Sequence, residues 1–356
     1  MSDITNRAAS LLMRLHDQGV GFLAPGVEFN VFGLSLSKGL TDLGIPCFGQ
    51  FPEWPKDRGG TCPLIAAPDR FASAGLLLID IRGIPTQRNR IAPKVLEDIR
   101  TLGSERLVFL MDGDDASNRI TPTDIPTLVA HENRFFEIEG WRVPWCFGLM
   151  PTTLGNIDRA VSGPRTDTIS RSFTPSLHQG LRDHLDVILL PRLGKHRPIN
   201  QTIDATAGRV QVSYMQRLKE ADICLAYGGQ FMPDISKNLS LKESQAALLD
   251  HARFHDSPVL FRWDSWRFWE SLACGAVTVH VDLEKYGCRL PVMPTNWVHY
   301  VGLDLANLER DIDRLLSPDT DRRAIGEAGR AWVVQHYSPT AQAFRLLATL
   351  ALSGRP

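Results

Sequence analysis

The sequence lacks any apolar run near the roughly 20 residues that a membrane-spanning helix requires. It also lacks an excess of either charge, with 39 Lys and Arg against 40 Asp and Glu and a formal net charge of -1. That balance excludes long-range attraction to nucleic acid as an organising feature. It leaves only local basic patches, with which peripheral membrane association is compatible. The six cysteines (Cys47, Cys62, Cys146, Cys224, Cys274 and Cys288) are scattered and form no CxxC pair. No zinc or other metal site is therefore expected, and the thiols read as free groups in a reducing compartment. The N-terminal stretch MSDITNRAASLLMRLHDQG has no basic start, apolar block and small-residue cleavage site; it reads as an amphipathic helix, and a cytoplasmic location is the expectation.

What is present is the composition of a folded protein, with 43% hydrophobic and 22% charged residues over 356 positions, enough for two domains. The order opens with a short apolar run (19–24), a Pro-Gly turn, a helix with Phe32, Leu36, Leu40 and Leu43 at helical spacing, and a second apolar segment from Ile45. GLLLIDI (75–81) and RLVFLMD (106–112) are continuous apolar runs, the mark of strands covered on both faces, and a helix (94–103) lies between them. The polar stretch 155–180 reads as a linker. A second series follows: strand 186–191, helix 210–221, strand 222–228, a helix near 241–252, strands 276–281 and 298–303, and closing helices. The expectation is an α/β protein with two Rossmann-like domains of parallel strands, 1–175 and 176–337, the last helix (338–356) returning to the first.

Residues 262–282, RWDSWRFWESLACGAVTVHVD, carry most of the chemistry. On a helix, Trp266, Trp269, Leu272 and Ala273 share one face, while Asp264, Arg267 and Glu270 form a stripe on the other. Gly275 stops the helix before a β-branched strand. A helix N-terminus at the carboxyl end of a parallel sheet offers N–H groups and partial positive charge to a diphosphate. An Arg in the same turn adds bidentate contacts. Spacing alone is equally consistent with a surface Arg–Glu pair.

This segment resembles the C-terminal signature of the GT-B glycosyltransferases, and its Arg267-x-x-Glu270 is most similar to the exostosin-type and spore-maturation-type branches. The resemblance implies a GT-B fold, two Rossmann-like domains whose parallel sheets face across a cleft. It further implies a nucleoside-diphosphate sugar (UDP-, GDP- or dTDP-linked) as donor, no other cofactor, and a glycan, lipid-linked or small-molecule hydroxyl acceptor. By the same resemblance Glu270 holds the ribose, and Arg267 approaches the diphosphate. Many retaining members carry a Glu eight residues before the signature Glu; here that position is Arg262, so the stereochemical outcome does not carry over.

Further segments resemble the family: Gly228-Gly229 within 213–229, the basic PRLGKHR (191–197) with Arg192 and Lys195 as phosphate ligands, and the closing helices 327–347. In the first half, Gly26 marks the first strand-to-helix loop, which is no GxGxxG motif. Asp112 and Asp114 in MDGDDASNR, together with His131, are the candidate bases for an acceptor hydroxyl, with Glu132 and Arg82 as further candidates. Rival readings are a sugar-nucleotide epimerase, a transferase acting on a DNA base, which the balanced charge disfavours, and a non-catalytic scaffold. Because Arg267 and Glu270 lie off the apolar face, their replacement by Ala is expected to spare the fold.

Overall fold

Two parallel sheets organise the chain in a computed structural model that describes residues 2–24, 31–49, 64–82, 84, 86–87, 90–113, 122, 124–135, 140–161, 163–173, 180–202, 212–231 and 260–353. The chain divides into two compact units. Unit 1 comprises Met1–Ala130, Ile138–Thr152 and Gln335–Pro356, and unit 2 comprises His131–Glu137 and Thr153–Val334. Among the described residues no helix is long and apolar enough to cross a membrane.

Unit 1 holds strands β1 (Val20–Leu23), β2 (Cys47–Gly49), β3 (Ile65–Ala66), β4 (Leu76–Asp80), β7 (Leu107–Asp112), β8 (Thr127–Val129) and β9 (Arg142–Pro144). A two-stranded ribbon, β5 (Thr86–Gln87) with β6 (Arg90–Ile91), stands apart from the sheet. The sheet order is β3-β2-β1-β4-β7-β8-β9, and every pairing is parallel. Every residue of β4 and β7 is buried, as their unbroken apolar runs require. Helices α1 (Ser2–Gln18), α2 (Val31–Asp42), α3 (Pro68–Ala72) and α4 (Pro93–Glu105) cover the sheet. One core cluster joins Leu77, Ile79, Ile99, Val108 and Leu110. The C-terminal helix packs on α2, so closely that a Cβ at Gly39 would lie 2.0 Å from the Pro339 carbonyl oxygen. Gln342 on that helix donates to the Ser35 hydroxyl at 2.9 Å.

Unit 2 holds β10 (Thr166–Arg171), β11 (Ile199–Asn200), β12 (Ala221–Leu225), β15 (Val277–Val281) and β16 (Val301–Leu303), in the order β11-β10-β12-β15-β16, all parallel. A short ribbon pairs β13 (Gln230–Phe231) with β14 (Leu260–Phe261). Helices α5 (Pro151–Arg159), which starts in unit 1, α6 (Gly180–Leu193), α7 (Val212–Glu220), α8 (Trp266–Ala273), α9 (Leu308–Leu316) and α10 (Arg322–Tyr337) precede the C-terminal helix α11 (Pro339–Leu352). Trp269 stacks on Trp332 with centroids 6.1 Å apart, and His299 stacks on Trp332 at 5.8 Å. Gly275 ends α8 at φ +73, the left-handed conformation of a helix C-terminus.

Three expectations change. The stretch 155–180 holds the end of α5 and the whole of β10, so it is not a bare linker, and β10 belongs to unit 2, where it pairs with β12. Residues 186–191 are not a strand but part of α6. Leu181, Leu185, Leu189 and Leu193 recur every fourth residue and are all buried, a helical period that the run DVILLP masks. The helix read near 241–252 lies outside the described residues.

Candidate functional site

In unit 2 the strands numbered in chain order lie 2-1-3-4-5, so the order reverses between β10 and β12. Open parallel sheets bind ligands at the carboxyl ends of the strands flanking such a reversal. Beyond β10 come Ser172 and Phe173, and beyond β12 come Tyr227, Gly228 and Gly229. Gly229 has φ +112, and a Cβ there would meet the Phe261 carbonyl oxygen at 2.6 Å, so only glycine lets the chain pass.

Three guanidinium groups gather on the buried ring of Phe173. The Arg171, Arg182 and Arg267 carbons lie 4.3, 4.9 and 6.0 Å from its centroid. Each is oriented by a carbonyl at the strand ends. Arg171 donates to the Phe173 oxygen at 2.6 Å, Arg182 to the Tyr227 oxygen at 3.2 Å and Arg267 to the Ser172 oxygen at 2.8 Å. Asp186 on α6 is ion-paired with Arg171 and accepts from the Tyr227 hydroxyl at 2.6 Å. Burial, reinforced by the Asp186 charge, pushes the Tyr227 phenol well above its ordinary range, so it stays a donor.

The start of α8 adjoins this cluster through Arg267. Ser265 is its N-cap residue in extended conformation, but its hydroxyl makes no capping bond. That hydroxyl is buried and has no hydrogen-bond partner among the described residues. One turn on, Glu270 is 3% exposed, and its Oε2 accepts from the Tyr214 hydroxyl at 2.9 Å. Burial first, then the Glu270 charge, raises the Tyr214 phenol well above its ordinary range. The polar stripe is therefore not solvent-facing, since α8 is buried nearly all round and only Arg267 on the stripe is part-exposed. Replacing Glu270 removes a buried hydrogen bond, which overturns the expectation that the fold would be indifferent to it. Asp264 precedes the helix, and its carboxylate accepts from the Trp269 indole at 2.5 Å, linking the supposedly opposite faces.

His131 reaches the same place. Its backbone adopts φ +58, it stands edge-on to Trp263, and its Nδ1 accepts from the Asp264 amide at 3.0 Å. A neutral imidazole whose Nδ1 accepts carries its proton on Nε2. His131 is then a hydrogen-bond donor at Nε2, which does not fit the role of general base expected of it. Glu132 contributes its backbone, its carbonyl accepting from the Trp263 indole at 3.3 Å and the Arg289 amide at 2.8 Å.

Other candidates lie elsewhere. Helix α6 has 14 residues, about 20 Å of length, and its first turn is tied to Gly229 by the Leu181 amide. Arg192 and Lys195 stand at its other end, Arg192 paired with Glu309 and Lys195 exposed in the following turn. That is the negative pole of a helix, remote from the strand reversal, so the phosphate contacts expected of a strand-end loop do not arise. Asp112 is buried at the carboxyl end of β7 in unit 1. Gly26 and Asp114 lie outside the described residues. In unit 1, Arg82 is bound to Asp80 through Nε and Nη2, the shortest contact being 2.7 Å. Arg171, Phe173, Arg182, Asp186 and Tyr227 are not singled out by the sequence, because Arg171 ends β10, a strand whose polar first half hides it.

No protein-family model matches the sequence, and no curated protein is similar to it. A solved structure is similar. It is AviGT4, a glycosyltransferase involved in Avilamycin A biosynthesis, with 12% identity, a TM-score of 0.35, and coverage of 94% of this chain and 98% of that one.

Proposed function

We propose that unit 2 binds a nucleoside-diphosphate sugar and that the protein transfers its glycosyl group to a hydroxyl acceptor. The observation that carries this reading is the set of three guanidinium groups on Phe173 at the strand reversal, facing a helix start whose N-cap hydroxyl is unused. Three cations, of which Arg171 is paired with Asp186, offer guanidinium donors where a diphosphate would sit. Amide groups at the start of α8 and the Ser265 hydroxyl add donors of the kind that hold phosphate at helix ends.

In the reaction the bond from the anomeric carbon to the diphosphate oxygen breaks, and its electron pair stays on the leaving group. Arg267, Arg182 and the α8 terminus stabilise that charge in a preorganised, partly buried setting. The acceptor oxygen bonds to the anomeric carbon, and its proton passes to a base. With His131 a donor at Nε2, the proposed base is a carboxylate rather than this imidazole; His131 donates to the donor's phosphate or sugar oxygens. Glu270, held by Tyr214, is the proposed partner of the ribose diol.

Calorimetric titration of UDP, GDP and dTDP and their sugars tests the reading. One nucleotide series should bind, and Arg182→Ala or Arg267→Ala should weaken it about 10- to 100-fold, corresponding to about 1.5–3 kcal/mol for a charge-assisted hydrogen bond. Absence of binding by a folded protein to every member would sink the donor site. Binding without transfer to any acceptor would sink the catalytic half alone.

A further inference from the structure

A cavity of about 570 Å³ opens in unit 2 away from the strand reversal. It is lined by Trp297 and Val298, which precede β16, by Arg314 in the last turn of α9, by Asp319 and Asp321 before α10, and by Ile325. β16 is the edge strand farthest from β11, and Trp297 lies at its amino end, whereas the strand reversal is at the carboxyl ends of β10 and β12. The volume falls in the range of small-molecule sites, roughly 300–1,000 Å³.

The loop before β16 is built to present Trp297. Its backbone is left-handed, at φ +60, which a bulky side chain adopts only when its surroundings impose it. The surroundings do so. The Trp297 amide donates to the Tyr300 oxygen at 2.8 Å, the Thr295 amide to His299 Nδ1 at 2.8 Å, and Asn296 brackets Gly302 through bonds of 2.7 and 2.9 Å. The indole held this way is only half-buried, and Val298 beside it is exposed. The Arg314 guanidinium lies over the indole at 3.9 Å and has no carboxylate partner among the described residues. The Asp319 side chain makes no hydrogen bond or ion pair among them. Asp321 uses one oxygen to cap α10 through the Ala324 amide.

The lining thus offers an aromatic and aliphatic surface beside charged groups of both signs that form no ion pair among the described residues. A phosphate would meet two carboxylates, and a basic peptide would meet an arginine. A neutral polyhydroxyl ring uses all three features: its C–H face on Trp297, its hydroxyls donating to Asp319 and Asp321 and accepting from Arg314. We infer that this cavity is a carbohydrate-binding site, separate from the proposed donor site and taking a neutral saccharide chain.

The test uses the full chain on an array of immobilised neutral oligosaccharides, with an array of basic peptides beside it. At least one saccharide class should be bound, and Asp319→Asn should weaken it tenfold or more. Trp297→Gly should abolish it while the chain stays folded, because glycine accepts the left-handed backbone. Arg267→Ala and added nucleotide should leave it unchanged, which separates this site from the donor site. No saccharide binding, binding that survives both Trp297→Gly and Asp319→Asn, loss of binding in Arg267→Ala alone, or capture of the basic peptides instead would each overturn the inference.

Discussion

The two units end their parallel sheets in different electrostatic styles. In unit 1 the charged residue after β4, Arg82, folds back on Asp80 two residues before it, a local ion pair at the strand end. In unit 2 the strand ends gather Arg171, Arg182 and Arg267 on one phenyl ring, with Asp186 paired to Arg171. Similar architecture therefore yields one strand end where an arginine turns back on its own strand's carboxylate and one where three guanidinium groups share a ring. The proposed function rests on that difference, since the α/β layout alone serves many chemistries.

The largest test of the comparison removes the ring. Phe173→Ala should destabilise by about 3–5 kcal/mol and abolish nucleotide binding. Phe109→Ala in β7 of unit 1, equally buried, should cost a similar amount in urea unfolding yet leave the nucleotide Kd of the folded protein unchanged. If both substitutions alter Kd alike, the ring is mere packing. Next, Asp186→Ala strands the buried Arg171 and should cost about 3 kcal/mol, as broken buried pairs do. Asp80→Ala should cost about 1–2 kcal/mol, because Arg82 is partly exposed and turns to water. Equal losses would erase the distinction between the two edges.

Acid should separate the units as well. His280, at the heart of the unit 2 sheet, is pushed down to about 4 by burial, with Nε2 bonded to the Trp263 oxygen. A depressed folded value means that its stabilisation is complete above pH 6.5 and is lost as pH falls through about 4, a loss of up to about 3 kcal/mol. The described histidines of unit 1, His16 and His336, are solvent-accessible. Hydrogen exchange at pH 7 and pH 4.5 should show unit 2 amides losing protection first, and a uniform loss would contradict this. The smallest effect belongs to Arg192→Ala and Lys195→Ala, each within about 0.5 kcal/mol of the parent. Neither should change nucleotide affinity, and a tenfold loss in either would restore the sequence-based assignment.

The α/β alternation was legible because β4 and β7 are nearly continuous apolar runs, which a doubly covered sheet accommodates. Segment β10 was hidden because its first half, Thr166 to Thr168, is exposed or half-buried and polar, so that TDTISR reads as loop. Helix α6 was hidden by four consecutive aliphatic positions, Val187 to Leu190, while its fourfold leucine spacing starts earlier, at Leu181. At the site, Arg267 and Glu270 stood out by their helical spacing. Arg171 and Arg182 did not, because what joins them is a ring at the end of a strand that sequence pattern did not reveal. The tautomer of His131 depends on the Asp264 amide, 133 residues away, and no local pattern carries it.

The central claim is that the guanidinium groups at the unit 2 strand ends hold a nucleoside diphosphate. Its most direct test is one calorimetric series in which the best-binding nucleoside diphosphate is titrated into the parent, Arg267→Ala and Arg82→Ala. The account predicts that Arg267→Ala loses at least tenfold in affinity while melting within a few degrees of the parent, and that Arg82→Ala binds as the parent does. Equal affinity in all three proteins, or a loss confined to Arg82→Ala, would contradict it.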